Sequence, residues 1–366
     1  MKKPRFSLGS IVMLLATLFV VIGMAAFLTL IAGDGVYERT RAVFGLLADQ
    51  TEEATATPTG VPTASPMPEI TEGPTPSPSP TATPALEPKR LTIAAAGTIY
   101  APKTVRESVQ EGTDHYDFMT TFEGLSGALE NADLSIVTLE TLAAGREKGY
   151  GNYNTTPQIL DALRAVGVNF VSLATERALD KGYDGLDITA SELTSRSIGF
   201  AGVYPDGTNT GAAMANIDGV QVAVLAYTYG LSDEGRERTR DDSRGVVAMM
   251  DSQRVVRDIT QARVDGANIV VVLPHWGTKN RAQTPDTVQT MAREMAQAGA
   301  DVIFGTHPNV AQGIERLQTV RSDGLTYETV VCYSLGCLLT DARDSENTAG
   351  MAVRLEMTYD PATRRA

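Results

Sequence analysis

The 366-residue sequence is poor in cysteine, histidine and positive charge. Two cysteines are too few for a disulfide-built scaffold. Lysine and arginine number 31 against 44 aspartates and glutamates, a net charge of −13. That balance argues against the basic face that nucleic-acid binding requires, so no nucleic-acid partner is expected. No period of self-similarity marks a repeat architecture.

Two further absences divide the chain. Residues 6–33 hold no charged side chain. A membrane-spanning helix needs about 20 apolar residues, and this run is long enough. Lys2, Lys3 and Arg5 precede it, and Asp34 and Glu38 follow. The positive-inside rule then puts the N-terminus in the cytoplasm and all that follows outside. A cleaved signal peptide fits less well: its apolar region is usually about 7–15 residues, with small residues at the cleavage site. Here the run is longer, and Leu28-Thr29-Leu30-Ile31 is a poor site. Residues 1–33 are therefore expected to form a cytoplasmic tip and an uncleaved anchor in the bilayer, and 34–50 a juxtamembrane segment. Residues 51–88 contain ten prolines, many threonines and serines and no aromatic residue. Such a stretch cannot bury a core and favours extended polyproline geometry. At about 3.1 Å per residue it makes a stalk on the order of 100 Å long.

What remains, 89–366, reads as one α/β domain. Strands are expected over 91–96, 134–139, 168–174, 212–217, 220–229, 268–273, 302–305, 313–317, 327–334 and 352–359. Helices are expected over 117–131, 157–166, 186–197, 252–264 and 285–298. The alternation implies βαβ units, and the closing run of strands implies an antiparallel addition. Asp218-Gly219 marks a tight hairpin turn. The charged run 233–244 reads as a solvated loop. Cys332 and Cys337, five residues apart, are either a disulfide or two buried thiols.

Two of the three histidines end buried-looking strands, in Pro274-His275-Trp276-Gly277 and Gly305-Thr306-His307-Pro308-Asn309-Val310. In open α/β sheets ligands bind beyond the carboxyl ends of the strands. Gly97-Thr98, Thr138-Leu139-Glu140 and Thr175-Glu176-Arg177 also follow expected strands. Five polar clusters at five strand ends form the pattern of one shared site, against the plainer reading of five ordinary loops.

Ordered landmarks extend the pattern: Ala132-Asp133-Leu134, Gly199-Phe200-Ala201-Gly202, Ala298-Gly299-Ala300-Asp301 and Tyr333-Ser334-Leu335-Gly336. With the five clusters they make the chain resemble the CapA family of bacterial poly-γ-glutamate capsule-synthesis proteins. That family's domain is similar to calcineurin-like metallophosphoesterases. The resemblance spans about 91–359 and implies an α-β-β-α sandwich of mixed sheets.

The departures fall at chemically decisive positions. Where the family has Gly-Asp, Asn-Leu-Glu, Asn-Asn-His, His-Pro-His and Ser-Leu-Gly-Asn, this chain has Thr98, Thr138, Thr175-Glu176-Arg177, Asn309 and Cys337. The resemblance implies that one metal of a two-metal centre used the positions now held by Thr98 and Asn309, and that this metal is lost. The other metal's positions are Glu140, Glu176, His275 and His307. Two imidazoles and two carboxylates are enough donors for one Zn²⁺ or Mn²⁺. The other reading is a hydrogen-bonded cluster without metal. Arg177 replaces a histidine that would serve as acid. Its pKa exceeds about 12, so it cannot donate a proton, though it can bind an anion.

The resemblance thus implies a degenerate metallophosphoesterase-like pseudoenzyme, anchored in the cell membrane with its domain outside. Its role would lie in making, exporting or anchoring an anionic envelope polymer such as poly-γ-glutamate. Other capsule-synthesis membrane proteins are the expected partners. A net-acidic chain weighs against direct binding of an anionic polymer. Two other functions remain open: a single-metal hydrolase of an envelope ester or amide, and a non-catalytic docking module.

Overall fold

Apolar strands alternating with amphipathic helices build two six-stranded mixed sheets. The computed structural model describes residues 87–205, 207, 211–238, 246–343 and 349–366. The chain divides into two units, Met1–Pro80 and Thr81–Ala366, and the description concerns the second. The expected anchor, juxtamembrane segment and nearly all of the stalk lie outside the described residues. Among the described residues no helix is long and apolar enough to cross a membrane.

The first sheet begins with β1 (Lys89–Ile99), β2 (Leu134–Leu139), β3 (Phe170–Ser172) and β4 (Gly199–Ala201), all parallel. The second comprises β5 (Ala213–Ile217), β6 (Val220–Thr228), β7 (Ile269–His275), β8 (Val302–Phe304), β9 (Ile314–Val320) and β10 (Thr326–Cys332). Its order is β5-β6-β7-β8-β10-β9, parallel at its centre and antiparallel at both ends. The chain then returns to the first sheet. There β11 (Cys337–Leu339) lies parallel to β1 and β12 (Ala352–Tyr359) antiparallel to it.

Side chains alternate across each strand, so both faces of a buried sheet must be apolar. On β7, Ile269, Val271 and Leu273 meet Ile93, Ile136 and Phe170 between the sheets. Val270 and Val272 point the other way, into a cluster with Val255, Ile259, Ala292 and Met295. Those four belong to the helices Ser252–Val264 and Asp286–Ala298. On the far side Val137, Leu139 and Val171 pack with Ile159, Leu163, Leu186 and Leu193, from the helices Gln158–Ala165 and Gly182–Ser195. The result is the expected four-layer α-β-β-α sandwich.

The expected 117–131 helix is broken. It consists of the short helices Met119–Phe122 and Ser126–Leu129 around a 3₁₀ turn, Glu123–Leu125. Gly124 and Gly127 fall within it, and glycine is a poor interior helix residue. The run from 233 opens as a helix, Asp233–Arg238, rather than a loop. Two strands (β4 and β11) and the helix Lys103–Ser108 were not expected; each is too short to show a period. The turn at Asp218-Gly219 is as expected, with φ of 49° and 86° and Ile217 paired to Val220.

Cys332 and Cys337 are free, buried thiols. Cys332 packs between the sheets, while Cys337 turns its Sγ to Asn309 Oδ1 at 3.5 Å. Burial pushes both thiols up to about 12.

Candidate functional site

The carboxyl ends of strands from both sheets meet at one place. His275 closes β7, and His307 follows β8 by three residues. A parallel bridge joins His275 to Thr306, and Trp276 N–H donates to the Thr306 carbonyl at 3.0 Å. Trp276 Nε1 donates to the Tyr333 carbonyl at 2.9 Å, pinning the turn after β7 to the end of β10. His307 and Asn309 have φ of 94° and 63°, a region that non-glycine residues seldom enter. Such backbone costs about 1–3 kcal/mol per residue and clusters at functional sites.

The two imidazoles face each other, His307 Nδ1 to His275 Nε2 at 3.2 Å. The remaining His275 nitrogen, Nδ1, lies 3.2 Å from Thr306 Oγ1. Burial lowers His275 well below its usual range, and the neighbouring His307, Lys279 and Arg177 lower it further. Burial also lowers His307 to about 4, with Glu176 opposing. Both rings are neutral at pH 7, so the 4.0 Å contact between His307 Nδ1 and Glu176 Oε2 is not an ion pair there.

Glu176 is the hub. It is buried, and both its oxygens are engaged. Oε1 takes the Lys279 ammonium at 2.5 Å and lies 3.1 Å from Arg177 Nη2. Oε2 accepts from the Tyr229 hydroxyl at 2.8 Å. Burial pushes the carboxyl up, but the Lys279 and Tyr229 hydrogen bonds outweigh it and hold it below the usual range. The Tyr229 ring packs against His307, centroids 4.6 Å apart.

Arg177 is committed internally. Nη1 reaches Asp180 Oδ2 at 3.4 Å, and the guanidinium stacks on Tyr153 at 3.9 Å. Its Nε is buried without a hydrogen-bond partner.

Glu140 lines an adjoining cavity of about 270 Å³ with Tyr100, Tyr153, Lys279, Asn309 and Cys337. Burial raises its carboxyl to about 7, with Lys279 opposing and Glu176 adding to the rise. Thr98 pairs in register with both Thr138 and Cys337, and its Oγ1 is buried without a hydrogen-bond partner.

The fold therefore brings Glu176, Arg177, His275 and His307 into contact. Glu140 shares its cavity with Lys279, Asn309 and Cys337, and Thr98 pairs in register with Thr138 and Cys337. The donors do not fit a metal as they stand. One nitrogen of each imidazole is turned on the other, and a lysine and an arginine occupy Glu176 Oε1. Among the described residues no group of three or more His, Cys, Asp or Glu side chains is arranged to hold an ion. Sequence reasoning missed Lys279, Tyr229 and Tyr153. Tyr229 directly follows β6, where the strand-end rule applied to the other clusters would have found it. Lys279 stands four residues after His275, and no period or motif marks it.

The family description "Bacterial capsule synthesis protein PGA_cap" matches residues 92–342. The chain belongs to that family. A curated relative, "Capsule biosynthesis protein CapA" of Bacillus anthracis, is 25% identical over 269 residues, covering 70% of this chain and 61% of the relative. Another, "PGA biosynthesis protein CapA" of Bacillus subtilis, is 28% identical over 189 residues, covering 51% of this chain and 46% of the relative. This capsule-synthesis family member thus spans between about half and three fifths of the lengths of those relatives. Among solved structures, the calcineurin-like phosphoesterase YfkN of Bacillus subtilis is similar at 13% identity with a TM-score of 0.40. That similarity covers 76% of this chain and 93% of the other.

Proposed function

We propose that this chain serves capsule assembly as a membrane-anchored, outward-facing protein whose site no longer hydrolyses phosphoesters. Its ligand class would be an anionic envelope polymer, with poly-γ-glutamate suggested by the relatives' printed names. The family match across residues 92–342 carries the reading. The uncharged run 6–33 and the proline-rich 51–88 support an anchor and a stalk.

The site supports a binding or assembly role over hydrolysis. Two-metal hydrolysis needs one ion on the nucleophile and both on the developing charge. Thr98 and Asn309 offer a hydroxyl and an amide where such an ion would need a carboxylate and an imidazole. Arg177 has no proton to give a leaving group. Lys279 on Glu176 weighs against the single-metal hydrolase as well.

Deletion of the gene in its host tests the role. Cell-bound anionic polymer should fall severalfold and recover with the wild-type chain. Unchanged polymer would reject the reading. Protease added to intact cells should release the domain through the 51–88 segment; protection until lysis would reject the topology.

A further inference from the structure

The Lys279 ammonium sits where a ligand carboxylate would present its lone pair to a metal. Glu176 Oε1 is 2.5 Å from Lys279 Nζ and 3.1 Å from Arg177 Nη2. Glu176 Oε2 takes the Tyr229 hydroxyl at 2.8 Å. A divalent ion on this carboxylate would have to displace a lysine and lie beside an arginine. It would also have to part imidazoles that contact each other at 3.2 Å.

The sequence changes point the same way. Thr98 Oγ1 is buried with no hydrogen-bond partner, and Asn309 Oδ1 faces the Cys337 thiol at 3.5 Å. Neither offers the negative charge that would draw a cation to that side. Around Glu176, positive charge comes instead from Lys279 and Arg177 of the chain itself.

We propose that the Lys279 ammonium, backed by the Arg177 guanidinium, is a built-in substitute for the divalent cation. The site is held together without metal, and it takes up Mn²⁺ or Zn²⁺ only once that ammonium is removed. Lys279 is a positioning residue here: it fixes Glu176, which in turn receives Tyr229 and lies against His307. The substitution explains why Glu176, His275 and His307, three of the four positions that the resemblance assigns to one metal, are in contact while Glu176 is held by cations and one nitrogen of each imidazole faces the other. Metal content and polymer binding are separate readouts, so this inference and the capsule role fail independently.

The test uses the full chain in detergent, stripped of metal and equilibrated with micromolar Mn²⁺ or Zn²⁺. Bound metal is measured by mass spectrometry, and Co²⁺ absorption reports an ordered ligand set. Wild type should carry well under one ion per chain. Lys279→Gln, at a side chain 37% exposed, should gain affinity by about tenfold or more, the scale on which groups around a metal site tune it. Adding Arg177→Gln should increase the gain, and adding His275→Ala should abolish it. Lys279→Arg keeps the positive charge, so it must stay metal-free, which keeps the idea testable if Lys279→Gln does not fold. One ion per chain in wild type or Lys279→Arg, removed by His275→Ala, would overturn the proposal. So would folded glutamine variants that gain nothing.

Discussion

Lys279 Nζ and Glu176 Oε1 meet at 2.5 Å across 103 residues of sequence. The contact joins the turn after β7 to the turn after β3, and so ties the second sheet to the first. It follows that the two residues should be energetically coupled. Lys279→Met leaves a buried carboxylate with Arg177 and Tyr229 as its remaining donors. Loss of a partner from a buried polar group costs about 1–3 kcal/mol, and a charged group stands at the upper end. Adding Glu176→Gln should restore about half of that loss, because the amide no longer needs the cation. Denaturant unfolding of the four proteins in a double-mutant cycle gives the coupling; additive losses would break the link.

Stability should fall on acidification through His307. Its imidazole takes a proton near 6.5 when unfolded but only near about 4 when folded, chiefly because it is buried. Between those values the unfolded chain binds more protons, so stability present above 6.5 is lost as pH falls through about 4. One pKa unit corresponds to about 1.36 kcal/mol, so the loss is on the order of 3 kcal/mol. His307→Gln should flatten the acid limb of a stability–pH curve. The part that survives belongs to His275, which is lowered in the same direction. An unchanged acid limb in the variant would show that His307 is not the buried neutral ring described.

Glu140 acts with the opposite sign. Burial raises its carboxyl from 4.5 to about 7. The folded chain then holds a proton that the unfolded chain has released, so stability declines as pH rises from 4.5 through about 7. Glu140→Gln should match wild type near pH 4 and exceed it at pH 8 by about 1–3 kcal/mol, the scale of a shift of this size after allowance for water in the adjoining cavity. Equal stability at both values would mean that Glu140 ionises normally.

The fold was legible because its strands are strongly apolar and its helices strongly periodic. β2, β12 and the helix Ser252–Val264 match their expected bounds. The elements that were missed are three to six residues long, and in three residues neither a 2.0 nor a 3.6 period can be seen. The site was legible where residues end strands or follow them within three residues, as His275, Glu140 and His307 do. Lys279 was not, because its role depends on a carboxylate 103 residues away and a turn geometry that no local pattern encodes. The chemistry of the departures was legible, since a threonine or asparagine in place of a ligand is a local fact. The atoms that fill the resulting gap belong to tertiary structure.

Gly305 should be intolerant of even one methyl group. It stands between β8 and the loop that carries His307, and its N–H donates to the Cys332 carbonyl at 2.8 Å. A Cβ there would lie 2.2 Å from the Tyr333 carbonyl oxygen and 2.4 Å from Trp276 Nε1. Those two atoms are the acceptor and donor of the buried bond that pins the turn after β7. Alanine must therefore break that bond or separate β8 from β10, and neither is a flexible side-chain tip that can swing away. Overpacking costs about 1–3 kcal/mol and a buried unmade hydrogen bond a similar amount, so Gly305→Ala should lose about 2–4 kcal/mol. It should also move His307 relative to His275, because both hang from the displaced segments. Gly313, where a Cβ would meet open space, is the control, and Gly313→Ala should stay within about 0.5 kcal/mol of wild type. Thermal melts of the two variants decide it: equal melting temperatures would refute the close approach of β8 to Trp276 and Tyr333.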